Sequence, residues 1–345
     1  MESSSDLGAY LDGLRQTGRH ESEGHFTLDA LKAGMKIRRF GLAAPYRCVL
    51  HVVSAAVAGG ASVVDFRRER RCLAIEFDGP PFTPEELASL WLPSRPARFQ
   101  ELGLAVSGSE MLAPGRLVFC SQETSRLTVM EVTADGPGLS QHPPTWRGRQ
   151  PNRFELHQGR KPFPAQLGTE LREMLLKYCR YCPQLGIDGQ RIIRSYDYDP
   201  APAEIRFCRA GVNSPNRPTG AWVSLQQDNQ LASGKLWLER PTRLTLVLHG
   251  VSYESTLRLD ALDGVQAVMA SPDFARDLSE AGILQDAHFE AITAMLEASL
   301  EQLLLELEYH SRGMLLGMRK KAARYLDSPY MVGLRQRRRS PTGPG

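Results

Sequence analysis

Few residues of this 345-residue chain have the types and spacing that chemistry requires. Cys179 and Cys182 form a CxxC pair, a pattern used for thiol exchange or for half of a zinc site. A redox pair of that kind sits at the start of a helix, where the dipole lowers a thiol pKa. This one ends a helical run beside Tyr178 and Tyr181, and only the isolated Cys208 follows where a second ligand pair would be needed. The pair therefore reads as structural. His51 lies in the apolar run HVVSAAVAGG. A histidine can serve as a general base, but the eight histidines are scattered without ligand spacing, and His51 reads as a packing residue. Asp78 and Gly79 follow the strand-like IEF and form a turn signal. No Walker loop, G-x-S-x-G or HExxH occurs.

The C-terminal end is a different kind of candidate. Nine of the 42 Lys/Arg and one of the 39 Asp/Glu fall in Arg312–Gly345, so the preceding 311 residues are net negative by 5. Arg335, Arg337, Arg338 and Arg339 form the densest basic run. Such a run is either a solvated tail or a contact for nucleic acid or an acidic protein face. With only Tyr325 and Tyr330 nearby, base stacking is not implied, so any nucleic-acid contact would be non-specific and salt-sensitive.

Elements must position these residues, and composition bounds them. With 42% hydrophobic and 23% charged residues the chain has the balance of a soluble globular protein. Its length exceeds the ~250 residues of one ordinary core, so two domains are expected. No stretch reaches the ~18 uninterrupted apolar residues of a membrane span, so no membrane partner is expected. Six cysteines without a framework spacing point to a reducing, cytoplasmic compartment.

The pattern along the chain predicts a mobile arm over 1–24 and a helix within FTLDALKAGMKIRRF. A second apolar helix opens at Pro45 and ends at Gly59-Gly60. Two strands follow in ASVVDFRRERRCLAIEF, with Leu73, Ile75 and Phe77 on one face. Thr83 and Glu86 form a capping box for a short helix, and LGLAVSGSEML is helical. RLVFCSQ, RLTVMEV and PNRFELH read as strands. Near residue 160 the pattern restarts with the helix TELREMLLKYCRY and a hairpin turning at Asp188-Gly189. A polar loop spans 199–220, and strands follow at AWVSLQ, KLWLE, RLTLVLHG and STLRLDAL. From Asp286 a helix carries Phe289, Ile292, Leu296, Leu300, Leu303 and Leu307 on one stripe. It either continues through Met318 or breaks at Gly313.

The order helix, apolar helix ending in small residues, hairpin, Asp-Gly turn and short helix resembles the ATPase superfamily of gyrase, heat-shock chaperones, histidine kinases and mismatch-repair proteins (GHKL). The resemblance covers roughly residues 25–160. In that family the second helix supplies a water-activating Glu and a magnesium-binding Asn; here His51 and Ala55 stand at those places. Alanine cannot ligate a hard cation, and histidine without the metal has no placed phosphate to act on. The family's adenine-reading D-x-G-x-G corresponds to Phe77, Gly79 and Pro81, with Asp78 one place off and so directed to the other face. Gly103 is what remains of the lid glycines, and Thr145 is a distant match to a late Gly-Thr element.

The resemblance implies an α+β fold. A GHKL-like domain of helices on one face of a mixed sheet spans 25–160, and a smaller α/β domain spans 161–278. A C-terminal helical segment over 279–328 and a basic disordered tail over 329–345 complete it. It also implies a vestigial pocket at His51, Ala55, Phe77, Asp78, Gly79 and Gly103, with no catalytic residue, metal or cofactor. The expected function is a chaperone-like, non-catalytic interaction protein with a protein partner; the helix over 286–318 reads either as core against the second domain or as a surface for self-association. One alternative is an ATP- and magnesium-using enzyme with a relocated site, pairing Asp78 or Glu76 with His51. The other is a DNA-associated factor acting through the basic tail.

Overall fold

A computed structural model describes residues 45–192 and 232–339 apart from short gaps, the longest at 256–262, together with the backbone of 205–207 and 221–226. The expected arm, the helix within 26–40, Thr145 and Cys208 lie outside the described residues. The protein is α+β, with a large mixed sheet, a smaller second sheet and a helical C-terminal region.

The first sheet is built from β1 (Val64–Glu69), β2 (Cys72–Phe77), β3 (Arg116–Gln122), β4 (Leu127–Thr133), β5 (Gly136–His142), β6 (Asn152–His157), β7 (Leu185–Ile187) and β8 (Gln190–Ile192). Its order is β5-β4-β3-β6-β2-β1-β7-β8, antiparallel except where β1 meets β7. Four helices belong with it: α1 (Cys48–Ala58), α2 (Pro84–Ala88), α3 (Ala97–Ser109) and α4 (Leu167–Tyr178). Strand alternation sorts the residues onto two faces. Phe66, Leu73, Ile75, Phe77, Leu117, Phe119, Phe154 and Leu156 join the apolar residues of α1 and α3 in one core. Cys72, Glu76, Arg153, Glu155 and His157 take the alternate positions and so face away from it.

Local signals end these elements as expected. Thr83 Oγ1 accepts from Glu86 N while Glu86 Oε2 accepts from Thr83 N, a reciprocal cap on α2. Asp188 and Gly189, with φ of 50° and 81°, make the two-residue turn between β7 and β8.

The second sheet comprises β9 (Ile205–Phe207), β10 (Ala221–Gln226), β11 (Ser233–Leu238), β12 (Arg243–Leu248), β13 (Val251–Ser255) and β14 (Val265–Ala270). Its order is β13-β12-β14-β11-β10-β9, with β12 and β14 parallel. α5 (Ala287–His310) lies against β10 and β11 and is followed by α6 (Leu316–Leu326) and α7 (Pro329–Arg339). Among the described residues no helix is long and apolar enough to cross a membrane.

Several expectations are corrected. The domain boundary at 160 fails because β7 pairs with β1, so α4, β7 and β8 complete the first sheet. Moreover, one hydrophobic core runs through both sheets. β9 lies inside the expected polar loop, β5, β13 and β14 are further strands, and the strand expected at 255–262 lies, beyond Ser255, outside the described residues. Of the two readings for the end of α5 the break holds, at a 3-10 turn over Ser311–Gly313. Residues 329–339 are a helix, not a disordered tail, because Met331 and Leu334 give it an apolar face that is buried. Arg335 and Arg337 bind Glu308 and Glu301, which sets α7 antiparallel on α5. The apolar stripe of α5, read as core, is buried within the chain at Phe289, Ile292, Leu296, Leu300, Leu303 and Leu307.

Candidate functional site

The residues expected at a nucleotide pocket come together around α1, α3 and the end of β2, but they are packed. His51 and Ala55 lie one helical turn apart on α1, facing α3, and both are buried. Gly103 is buried within α3 rather than in a lid loop. Phe77 reaches inward from β2 and meets Phe82 and Phe119, with ring centroids 6.5 and 6.3 Å away. Phe82 in turn stacks edge-on to Phe99 at 5.7 Å and to Phe119 at 5.1 Å. Four rings from β2, the following loop, α3 and β3 thus occupy one volume, and all four are buried. Each buried ring contributes on the order of 1.5–3 kcal/mol through its area, with about 0.5–1.5 kcal/mol more per favourable edge contact.

Polar groups close this cluster at two ends. Arg98 covers it, its guanidinium 4.0 Å from the Phe82 ring centroid and 4.7 Å from that of Phe99. The same group donates to Pro81 O and to Glu86 Oε2, and burial lowers its pKa. At the other end Phe82 N donates to Ser121 Oγ at 2.6 Å, and Ser121 Oγ donates to Asn152 Oδ1 at 2.7 Å. Both side chains are fully buried.

The Asp-Gly turn has a different task from reading a base. Asp78 Oδ1 accepts from Ser62 N and Val63 N, each at 2.7 Å, and Oδ2 accepts from Ser62 Oγ. Gly79 has φ of 94°, and a Cβ there would sit 3.4 Å from Gly59 O and from Ala61 N. Together they fasten the end of β2 to the α1–β1 connection, where only glycine fits without strain.

His51 does not meet Asp78 or Glu76. Glu76 points to the opposite face, where Arg153 Nη1 donates to it at 2.7 Å. The carboxylate beside His51 is Glu101 of α3, with Nδ1 to Oε2 at 2.9 Å. Arg276, from the segment after β14, reaches the same place. It donates to Glu101 Oε1 and, at 2.7 Å, to Glu280, and lies 3.2 Å from His51 Nδ1. One nitrogen cannot donate to Glu101 and accept from Arg276 in the same tautomer. The shorter contact, and the two carboxylates already serving Arg276, assign the Nδ1 proton to the Glu101 bond. Burial alone would raise the Glu101 pKa, but the His51 hydrogen bond and the Arg276 charge outweigh it and hold the carboxyl below its usual range.

The β12–β13 hairpin seals this junction. His249 and Gly250 form its turn with φ of 47° and 79°, and a Cβ on Gly250 would lie 3.1 Å from Val57 and 3.3 Å from Cys182 Cα. Cys182 is therefore a buried spacer against this tip; Cys179 is buried as well, and burial pushes its thiol well above the ordinary pKa. Ser252 Oγ donates to Tyr178 O at 3.0 Å, fixing the hairpin to the end of α4.

Of the basic candidates, Arg335 and Arg337 are engaged with α5, while Arg338 and Arg339 are exposed. Sequence reasoning missed Glu101, Arg276, Phe82, Phe99, Phe119, Ser121 and Asn152. A glutamate just ahead of the apolar run LGLAV was the one available signal. No protein-family model matches the chain, nor does any curated protein. The fold and site define an α+β protein with two sheets on a shared core and a buried ionic junction between them.

Proposed function

We propose that this chain is a non-catalytic interaction protein: a chaperone-like body of GHKL-type architecture whose nucleotide position is filled by its own side chains. The observation that carries this reading is the buried cluster of Phe77, Phe82, Phe99 and Phe119 at the place where the resemblance puts a purine. His51 supports it: bound to Glu101 and beside Arg276, it is committed to packing two helices and a distant segment, not to activating water. Calorimetric titration with ATP and magnesium, run beside a phosphate-release assay, tests the reading. No saturable heat and no release are expected; micromolar binding coupled to turnover would overturn it.

A second reading rests on the C-terminal helices. A cleft of about 840 Å³ between α5, α6 and α7 is lined by Arg312, Arg319 and Arg335, with Glu308 and Asp327. Together with exposed Arg338 and Arg339 it suits a polyanion such as a nucleic-acid backbone. The test is fluorescence anisotropy of a short duplex across a salt series, where a steep fall in affinity with salt is expected and salt-independent or absent binding rejects the reading.

A further inference from the structure

The face of the first sheet turned away from the core carries a set of side chains that neither reading uses. In the register of β2 and β6, Cys72 pairs with His157, Ala74 with Glu155, and Glu76 with Arg153. Glu69 of β1 stands on the other side of Cys72. Side chains directly opposite in an antiparallel pair have Cβ atoms about 4.5–5.5 Å apart, and alternate residues of one strand share a face. The pairing therefore brings one thiol, one imidazole and one carboxylate to a single patch. Their ligand atoms all lie within 4.8 Å of one another.

We propose that Cys72, Glu155 and His157 form a binding site for a zinc-type divalent cation. Three further features support this assignment. First, the donor set of one sulfur, one nitrogen and one oxygen suits a borderline-soft dication, and three protein ligands leave a fourth position for solvent. Second, His157 Nε2 and Glu155 Oε2 are 2.6 Å apart, so a proton now holds together two atoms that a cation would bridge. Third, the charge around the patch favours a cation. Arg153 pairs with Glu69, Glu76 and Glu155, and Arg116, opposite His157 on β3, pairs with Glu131 at 3.5 Å, so four carboxylates face two guanidinium groups.

Arg153 also fixes the geometry. Its Nε donates to Glu155 Oε1, leaving Oε2 directed at His157. Such outer contacts orient a ligating carboxylate. The site is partly enclosed, with the Cys72 residue 7% exposed and the His157 side chain 28% exposed.

The test is a cobalt(II) titration of the full-length reduced protein after chelator treatment. One equivalent should bind with a thiolate-to-metal charge-transfer band, and zinc should displace it. Cys72→Ser should abolish the band, while Cys120→Ser, on β3 across the same face, should keep it. Glu155→Gln and His157→Gln should each weaken binding by on the order of tenfold or more. No charge-transfer band in the parent protein, or a band that survives Cys72→Ser, would overturn the site. If Cys72→Ser proves misfolded by circular dichroism, folded His157→Gln decides: unchanged cobalt affinity rejects the proposal and weakened affinity sustains it.

Discussion

His51 Nδ1 lies 2.9 Å from Glu101 Oε2, joining the middle of α1 to α3 at a point only 3–7% exposed. The bond crosses 50 residues of sequence, and Arg276 joins it from 225 residues beyond His51. A buried carboxylate of this kind is tolerable because hydrogen-bonded partners compensate its desolvation. The consequence is a junction that holds the first sheet's helices and the segment after β14 in one arrangement.

Removing one member of that junction leaves an uncompensated buried charge. Arg276→Ala is expected to cost about 3–5 kcal/mol in urea unfolding. Because Glu101 would be the stranded group, adding Glu101→Ala should recover part of that stability. A double variant destabilised by the sum of the two single effects would show that the two side chains are not coupled.

The hairpin turn predicts an acid limb of stability. Burial lowers the His249 pKa below its ordinary 6.5, Arg276 adds to this, and Glu101 and Asp273 oppose it. The unfolded chain therefore binds the proton more readily than the folded one. Stability is full above about pH 6.5 and falls as pH drops from there through the folded value. Glu101, whose folded pKa is depressed, adds a second decline at lower pH. His249→Asn keeps a residue that tolerates φ of 47° and removes the first titration. Melting temperatures between about pH 7.5 and 5 should flatten in that variant; an unchanged slope would assign the limb elsewhere.

Phe119 contacts both Phe77 and Phe82 at the centre of the ring cluster. Phe119→Ala should cost about 3–5 kcal/mol, as a large buried side chain is replaced by a cavity. Thermal or denaturant unfolding measures this directly. A change under about 1 kcal/mol would mean that the rings do not share a packed volume.

Several element ends were legible in the sequence because their signals are local. The Thr83–Glu86 cap, the Asp188-Gly189 turn and the Asp286 cap on α5 each lie within a few residues. β5 escaped because Gly136–His142 is mostly exposed and has no buried alternation to read. His249-Gly250 is a two-residue turn of the same kind as Asp188-Gly189, yet a histidine at positive φ gives weak notice of it. α7 was hidden by its charge: Met331 and Leu334 alone mark its buried face among a run of arginines. The candidate site was legible only by position. His51, Ala55 and Phe77 do lie together, but Glu101 and Arg276 are brought to them by tertiary packing that no local pattern encodes.

The two classes of arginine on α7 should separate stability from binding. Arg338→Gln with Arg339→Gln touches exposed groups and should change stability by less than about 0.5 kcal/mol. If the helix binds a polyanion, the salt slope of duplex binding should fall by about 1 for each phosphate that an arginine no longer neutralises. Arg335→Gln should instead loosen α7 from Glu308 and show as faster amide exchange along the helix. Equal salt slopes in parent and double variant would remove these two side chains from any binding surface.

The central claim is that side chains fill the space between α1, α3 and the end of β2. A crystal structure grown with magnesium and a non-hydrolysable ATP analogue tests it most directly. The predicted result is Phe77, Phe82, Phe99 and Phe119 in mutual contact, Arg98 over the rings, and no ordered triphosphate beside His51. A well-defined triphosphate in that space, with the rings displaced, would contradict the account.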